Sequence, residues 1–274
     1  MAVSAKSAKY PFLGFGLRLQ REYLSTLLEQ PHAVDWLEII SDPWMHAEPA
    51  ELDKLGRIRE RYPIAMHGLS LAIGGKTPLD LGYVQRLKEL ADRLEPAWIS
   101  DHLCGGARAE GGVRYEMQPL PRTEQTLAHL VPRIEQVQEI LGRPLLLENV
   151  PTLGAAGEIG EWEFVAAVAE RSDSGILLDV DNLYFSGINR DFDPMDALTR
   201  LPAPRIGQLH LGTRPDSGEK TQVESPVWDF YREAVGRIGP VSTMLEPTNN
   251  LPPLEELLSE LQAIRERVRL DSVG

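Results

Sequence analysis

Short apolar runs rich in β-branched residues recur about every 30 to 35 residues, and the stretches between them carry the 3.6-residue period of amphipathic helices. Such an alternation marks βα units, in which helices cover a parallel sheet. The pattern predicts strands over residues 12–19, 34–40, 63–68, 97–103, 144–150, 175–182, 205–212 and 241–246. It predicts helices over 21–29, 49–60, 80–94, 123–141, 161–171, 193–201, 226–236 and 253–267. Eight of each closes a (β/α)8 barrel, and a chain of 274 residues suits one such barrel as a single domain spanning about 12–267. Residues 1–10 read as a short flexible tail. Helix punctuation agrees: Thr123 precedes Glu124 and Gln125, Gly142 and Pro144 follow the fourth helix, and Gly236 closes the seventh. Two connections, 105–122 and 213–225, exceed what packing requires. Both follow strands, so both are expected on the C-terminal face of the barrel as walls or lids of a site.

Charge and composition exclude several roles. With 28 Lys and Arg against 41 Asp and Glu, the net charge of −13 repels a phosphate backbone and leaves no basic stripe for nucleic acid. No apolar run is long enough to cross a membrane, and no secretory h-region follows the first lysines. The single cysteine, Cys104, excludes an internal disulfide and fits a reducing compartment, so a cytoplasmic location is expected.

Two nucleotide-loop look-alikes fail on chemistry. Gly14-Phe15-Gly16 lacks the third glycine, because position 19 is Leu, and Gly75-Lys76-Thr77 has Ser70 where a phosphate loop needs glycine. Cys104 reads as a small buried hydrophobe in preference to a nucleophile.

The informative residues stand where apolar strands end: Glu38, His67, Asp101 and His102, Glu148 and Asn149, Asp179, Asp181 and Asn182, His210, and Glu246. In a barrel these strand ends converge on one mouth. Any one of them alone is as readily a hydrogen-bonded core residue as a ligand. Together they are harder to explain, because several carboxylates crowded out of water need shared protons or cations. Imidazoles with carboxylates and no thiolate form a ligand set suited to iron, manganese or zinc. His129 in a helix, His32 in a connection and His46 after the second strand read as surface histidines.

Taken together, Gly14-Phe-Gly-Leu-Arg18, His67-Gly68, Ser100-Asp-His-Leu103, Leu147-Glu-Asn149, Leu178-Asp-Val-Asp-Asn182, His210-Leu-Gly212 and Pro226-Val-Trp228 resemble one family. It is the multinuclear non-heme iron-dependent oxidative enzymes. The resemblance implies a xylose-isomerase-like TIM barrel that uses Fe(II)/Fe(III) and O2 to modify ribosomally made precursor peptides, commonly at cysteine, with a peptide-recognition partner protein. Carried over by position, it implies that His67 and His102 bind one iron, that Glu148 bridges to a second, and that Asp179, His210 and Glu246 complete the second site. Asn182 matches the residue that opens a third. There the chain departs from the family pattern: Thr221-Gln222-Val223 replaces Asp-Thr-His, so two tight irons are expected and a third only if Asp181, Glu219 or Glu224 substitutes. Arg18, Glu38, Asp101, Asn149, Asp181 and Glu224 are expected around the metals or the substrate, with Asp101 orienting a histidine and Arg18 either meeting a peptide carboxylate or forming a structural ion pair.

Three other readings fit parts of this pattern. A divalent-metal sugar isomerase or epimerase also lines a barrel mouth with Glu, Asp and His, but works without dioxygen. A metal-dependent endonuclease is opposed by the charge. A non-catalytic partner with a degenerate site has only the lost Asp-Thr-His in its favour.

Overall fold

The computed structural model describes residues 10–29, 34–106, 117–150, 157–212, 226–247 and 252–271. Eight parallel strands close on themselves in sequence order, with β8 pairing back onto β1. They are β1 (Phe15–Arg18), β2 (Trp36–Ile40), β3 (Ile64–His67), β4 (Ile99–His102), β5 (Leu145–Glu148), β6 (Gly175–Asp179), β7 (Ile206–Gly212) and β8 (Ser242–Glu246). The helices are α1 (Leu24–Glu29), α2 (Ser41–Trp44), α3 (Pro49–Arg59), α4 (Leu81–Leu94), α5 (Glu124–Leu141), α6 (Glu161–Arg171), α7 (Val180–Arg190), α8 (Pro194–Thr199), α9 (Pro226–Ile238) and α10 (Leu254–Asp271).

Local chemistry explains the helix limits. The Asp80 carboxylate accepts from Tyr83 N–H and starts α4, and Thr123 Oγ1 accepts from Thr126 N–H and starts α5. Gly142, at φ 68°, ends α5 in the left-handed region where a side chain would be strained. In α4 the buried residues Tyr83, Val84, Leu87, Leu90, Ala91 and Leu94 fall at three- and four-residue steps, one stripe against the sheet.

Strand residues alternate between two environments. Leu17, Leu37, Ile39, Leu145, Leu147, Ile176, Leu178 and Leu245 pack under the helices. Their neighbours Trp36, Ala65, Trp98, Leu146, Leu177 and Met244 form a separate cluster inside the barrel, with Tyr10 and Leu13 against it. Trp36 and Trp98 meet edge to face, ring centroids 5.5 Å apart. A Cβ at Gly16 would stand 2.5 Å from the Trp36 indole, so that position must be glycine for the ring to lie there.

The barrel and all eight strands match the sequence expectation, with two corrections. The sixth strand stops at Asp179, not at 182, because the Asp179 carboxylate accepts from Asn182 N–H and caps α7, a helix the strand pattern had concealed. The helix read over 193–201 is the shorter α8, and α2 follows β2 directly. The connection over 213–225, with Glu219, Thr221, Val223 and Glu224, lies outside the described residues, as do His32 and residues 107–116 of the other long connection. Among the described residues no helix is long and apolar enough to cross a membrane.

Candidate metal centre

One pleat above the apolar cluster, the inward positions turn polar. Trp36 is followed two residues on by Glu38, Ala65 by His67, Leu146 by Glu148, Leu177 by Asp179, Gln208 by His210 and Met244 by Glu246. Pairing sets them around the mouth: Arg18 is level with Glu38, His102 with Glu148, Asp179 with His210, and Gly212 with Glu246. Glu38, His67, His102, Glu148 and His210 are all buried, whereas Arg18, Asp179 and Glu246 are half-buried toward the rim.

Glu148 is the hinge of this arrangement. Its Oε2 lies 3.3 Å from His67 Nε2 and 3.2 Å from His102 Nε2, yet accepts no hydrogen bond among the described residues. One ligand atom from each of the three residues lies within 4.8 Å of the others. The other oxygen, Oε1, lies 3.0 Å from His210 Nδ1, which is also 3.5 Å from Glu246 Oε2.

The tautomer of His67 follows from its neighbour. Ser100 Oγ donates to Met66 O at 3.3 Å, so it accepts from His67 Nδ1–H at 2.9 Å and leaves a lone pair on Nε2. Burial, with His102 and His210 nearby, outweighs Glu148 and Glu38 and pushes the His67 pKa down to about 3. A neutral imidazole therefore turns a lone pair toward a carboxylate oxygen. That arrangement is repulsive without a cation between them.

The rest of the electrostatics has the same character. Burial raises the Glu148 pKa, but His210, His102 and His67 outweigh it and hold the group below the usual carboxylate range. Burial opposes the charge of His210, but Glu38 and Glu148 on either side raise its pKa well above the usual histidine range. A proton or a metal ion between His210 Nδ1 and Glu148 relieves the same negative charge, so the two compete for the position. Asp179 is pushed well up by burial and then by Glu148. With two imidazole nitrogens beside a carboxylate oxygen that lacks a proton donor and further carboxylates at the rim, these residues fit a divalent metal bound by nitrogen and oxygen.

The surrounding residues hold this set in place. Asn149 pairs with the main chain of Asp179, accepting from its N–H at 2.8 Å and donating to its carbonyl at 3.2 Å. Asn182 Nδ2 donates to Asp179 Oδ2 at 2.9 Å. Asp181 Oδ2 accepts from Gly212 N–H at 2.7 Å, and burial followed by Glu246 raises its pKa. Arg18 forms an ion pair with Glu246 and reaches within 4.0 Å of Glu38, so the protein's own carboxylates engage it. Glu38 Oε2 accepts from His210 Nε2–H at 3.1 Å.

Asp101 corrects the expectation. Its Oδ1 is 3.9 Å from His102 Nδ1, too far for a hydrogen bond, and instead accepts from the His102 main-chain N–H at 2.7 Å. As the immediate neighbour of His102 it faces the other side of β4, where it fixes the strand and the turn at Leu71. Cys104 is buried, and burial pushes its thiol up to about 11. Gln208 and Trp98 were not singled out by sequence, yet both lie on the interior chain of hydrogen bonds that reaches His210.

Relatives agree along the whole barrel. A family model described as RiPP precursor modification enzyme MbnB/TglH/ChrH matches residues 14–269. A UPF0276 protein of Anaeromyxobacter sp. (strain Fw109-5) is 45% identical over 256 residues, covering 90% of each chain. One from Caulobacter vibrioides (strain NA1000 / CB15N) is 38% identical over 266 residues, covering 94% of this chain and 95% of its own. Among solved structures, D-psicose 3-epimerase from Clostridium cellulolyticum H10 superposes with a TM-score of 0.66 at 15% identity, covering 94% of this chain and 98% of its own. Endonuclease IV from Thermus thermophilus gives 0.62 at 17%, covering 92% and 99%. At such identities the two structures share the fold alone. The family model, running from the glycine before β1 into the last helix, carries the assignment: this chain belongs to the RiPP precursor modification enzyme MbnB/TglH/ChrH family.

Proposed function

We propose that the chain is a multinuclear iron enzyme that uses dioxygen to modify a ribosomally made precursor peptide oxidatively, at a cysteine of that peptide. The observation that carries this reading is Glu148, whose two oxygens face two separate sets of nitrogen ligands without a proton donor on Oε2. His67, His102 and Glu148 would hold one iron, and Glu148, Asp179, His210 and Glu246 a second. A third, opened by Asn182, would need Asp181, Glu219 or Glu224, because Thr221 and Val223 cannot replace the ligands usual in the family.

When bound, iron supplies one-electron chemistry toward dioxygen and a Lewis-acidic position for a sulfur ligand. The protein's own work is narrower. Ser100 keeps the His67 proton on Nδ1, Asn149 holds the Asp179 main chain, Asn182 fixes the Asp179 carboxylate, and Arg18 restrains Glu246 at the rim. The packed interior beneath closes the site to water from below. The peptide would enter from the mouth, presented by a separate recognition protein.

Mass spectrometry tests this reading directly. A cysteine-containing candidate precursor peptide is co-expressed with wild type, His67→Ala or His102→Ala. The expected result is a mass change with wild type that requires air and iron and disappears in both variants. An unmodified peptide with wild type, or equal modification by the variants, refutes the proposal. Turnover of a sugar without dioxygen would replace it with an isomerase.

A further inference from the structure

We infer that Trp98 and Gln208 are positioning residues: the one-way chain of hydrogen bonds they begin fixes the proton of His210 on Nε2 and aims its Nδ1 lone pair at the metal cluster. The inference rests on the metal-binding reading above and adds to it which nitrogen of His210 is the ligand and what decides it.

The polarity of the chain follows from donor chemistry. An indole N–H can only donate, so the Gln208 atom facing Trp98 Nε1 must be the carbonyl Oε1. The amide nitrogen of Gln208 then points the other way and donates to Glu38 Oε2. That oxygen receives a second donor, Nε2–H of His210, at 3.1 Å. A carboxylate accepts and does not donate, and the Arg18 guanidinium 4.0 Å from Glu38 Oε1 favours that charged form. The proton of His210 is thereby committed to Nε2. Its Nδ1 is left facing Glu148 Oε1 at 3.0 Å and Glu246 Oε2 at 3.5 Å.

The contrast with His67 and His102 is specific. Those two present Nε2 to Glu148, at 3.3 and 3.2 Å, so the cluster mixes two Nε2 ligands with one Nδ1 ligand. Burial makes the chain rigid. Glu38 and Gln208 are fully buried and Trp98 nearly so, and the Trp98 ring is clamped edge to face against Trp36. Three strands contribute, since Trp98 directly precedes β4, Gln208 lies on β7 and Glu38 on β2. A partner that orients a metal-bound histidine typically changes metal affinity about 10- to 100-fold when removed.

The experiment uses the whole chain, labelled with 15N in its histidine rings and titrated with Zn(II) as a diamagnetic probe. In wild type, NMR of the ring nitrogens should show His210 bound through Nδ1 with its proton on Nε2, and His67 and His102 bound through Nε2. In Gln208→Leu and in Trp98→Phe, the second zinc equivalent should bind about 10- to 100-fold more weakly while the first is unchanged. Trp98→Phe keeps an aromatic ring to pack against Trp36 and removes the N–H together with the five-membered part of the indole, so it serves even if Gln208→Leu does not fold. His210 bound through Nε2, variants that keep the second affinity, or variants that weaken both ions equally would overturn the inference. Uptake of fewer than two zinc ions by wild type would instead overturn the dinuclear reading, and the proton on His210 Nε2 would still be read from the spectrum.

Discussion

The barrel interior has two layers one pleat apart, built by the same strands, and they are held together in opposite ways. In the lower layer Trp36, Trp98, Leu146, Leu177 and Met244 fill the space with apolar side chains whose only polar groups, the indole N–H of Trp36 and that of Trp98, both find acceptors. In the upper layer Glu38, His67, Glu148 and His210 are just as buried, yet Glu38 Oε1 and Glu148 Oε2 accept no hydrogen bond among the described residues. Stability resides in the first layer. The second is arranged at its expense, since a buried carboxylate facing the unprotonated imidazole of His67 costs free energy that a packed apolar core would not. That trade marks a site, and it separates what a mutation in each layer should do.

The largest effect is expected at Glu148. Glu148→Ala should reduce bound metal from two equivalents to less than one, a greater loss than any other single ligand gives, because this residue alone faces both nitrogen sets. Elemental analysis after anaerobic loading with ferrous iron measures it, and two retained ions would remove Glu148 from the centre. The matching change one pleat below is Leu146→Ala. It should cost about 2–5 kcal/mol in urea unfolding while the folded protein still binds both ions. Equal metal loss in the two variants would show that the layers are not separable.

A smaller effect is expected where the layers join. At Gly16 a Cβ would press on the Trp36 indole at 2.5 Å, so Gly16→Ala should destabilise by about 1–3 kcal/mol. Arg18, two residues on, should keep its ion pair with Glu246 and the metal content should hold. A drop in metal content would mean that the clash is relieved upward into the site.

The strands and the polar side chains gathered at their ends were legible in the sequence for one physical reason. A strand has period two and a barrel has a covered outside, so an apolar run that ends in His, Asp or Glu announces both the strand and its mouth. The same rule, applied strictly, already places Asp101 opposite His102. α7 was illegible because its exposed face carries Phe185 and Ile188, 50% and 59% accessible, which breaks the polar stripe that marks an amphipathic helix. The hydrogen-bond chain through Trp98 and Gln208 was illegible for a different reason. Its meaning depends on β2, β4 and β7 facing one another across the barrel, and no local spacing encodes that. Its one sequence signal was a glutamine two residues before His210 in an otherwise apolar strand.

The smallest predicted effect concerns the polar atom at the bottom of the lower layer. The Tyr10 ring packs against that cluster, close to Gly175 and Gly207, and its buried hydroxyl has no hydrogen-bond partner among the described residues. Unlike Glu148 it makes no hydrogen bond or ion pair among the described residues that its loss would break, so removing it should not harm the protein. Tyr10→Phe is expected to leave stability unchanged or raise it by up to about 1 kcal/mol, since an unsatisfied hydroxyl is lost and the ring is kept. Burial, then Asp173, raises the phenol from 10.0 to about 12. The folded state therefore keeps its proton over a range in which the unfolded chain has lost it. Wild type should lose stability as pH rises from 10 toward about 12, and Tyr10→Phe should lose less over that window. Urea unfolding of both proteins across that range decides it. Clear destabilisation by Tyr10→Phe at neutral pH would mean that the hydroxyl is satisfied after all, and that the contrast between the two layers is weaker at its lower end.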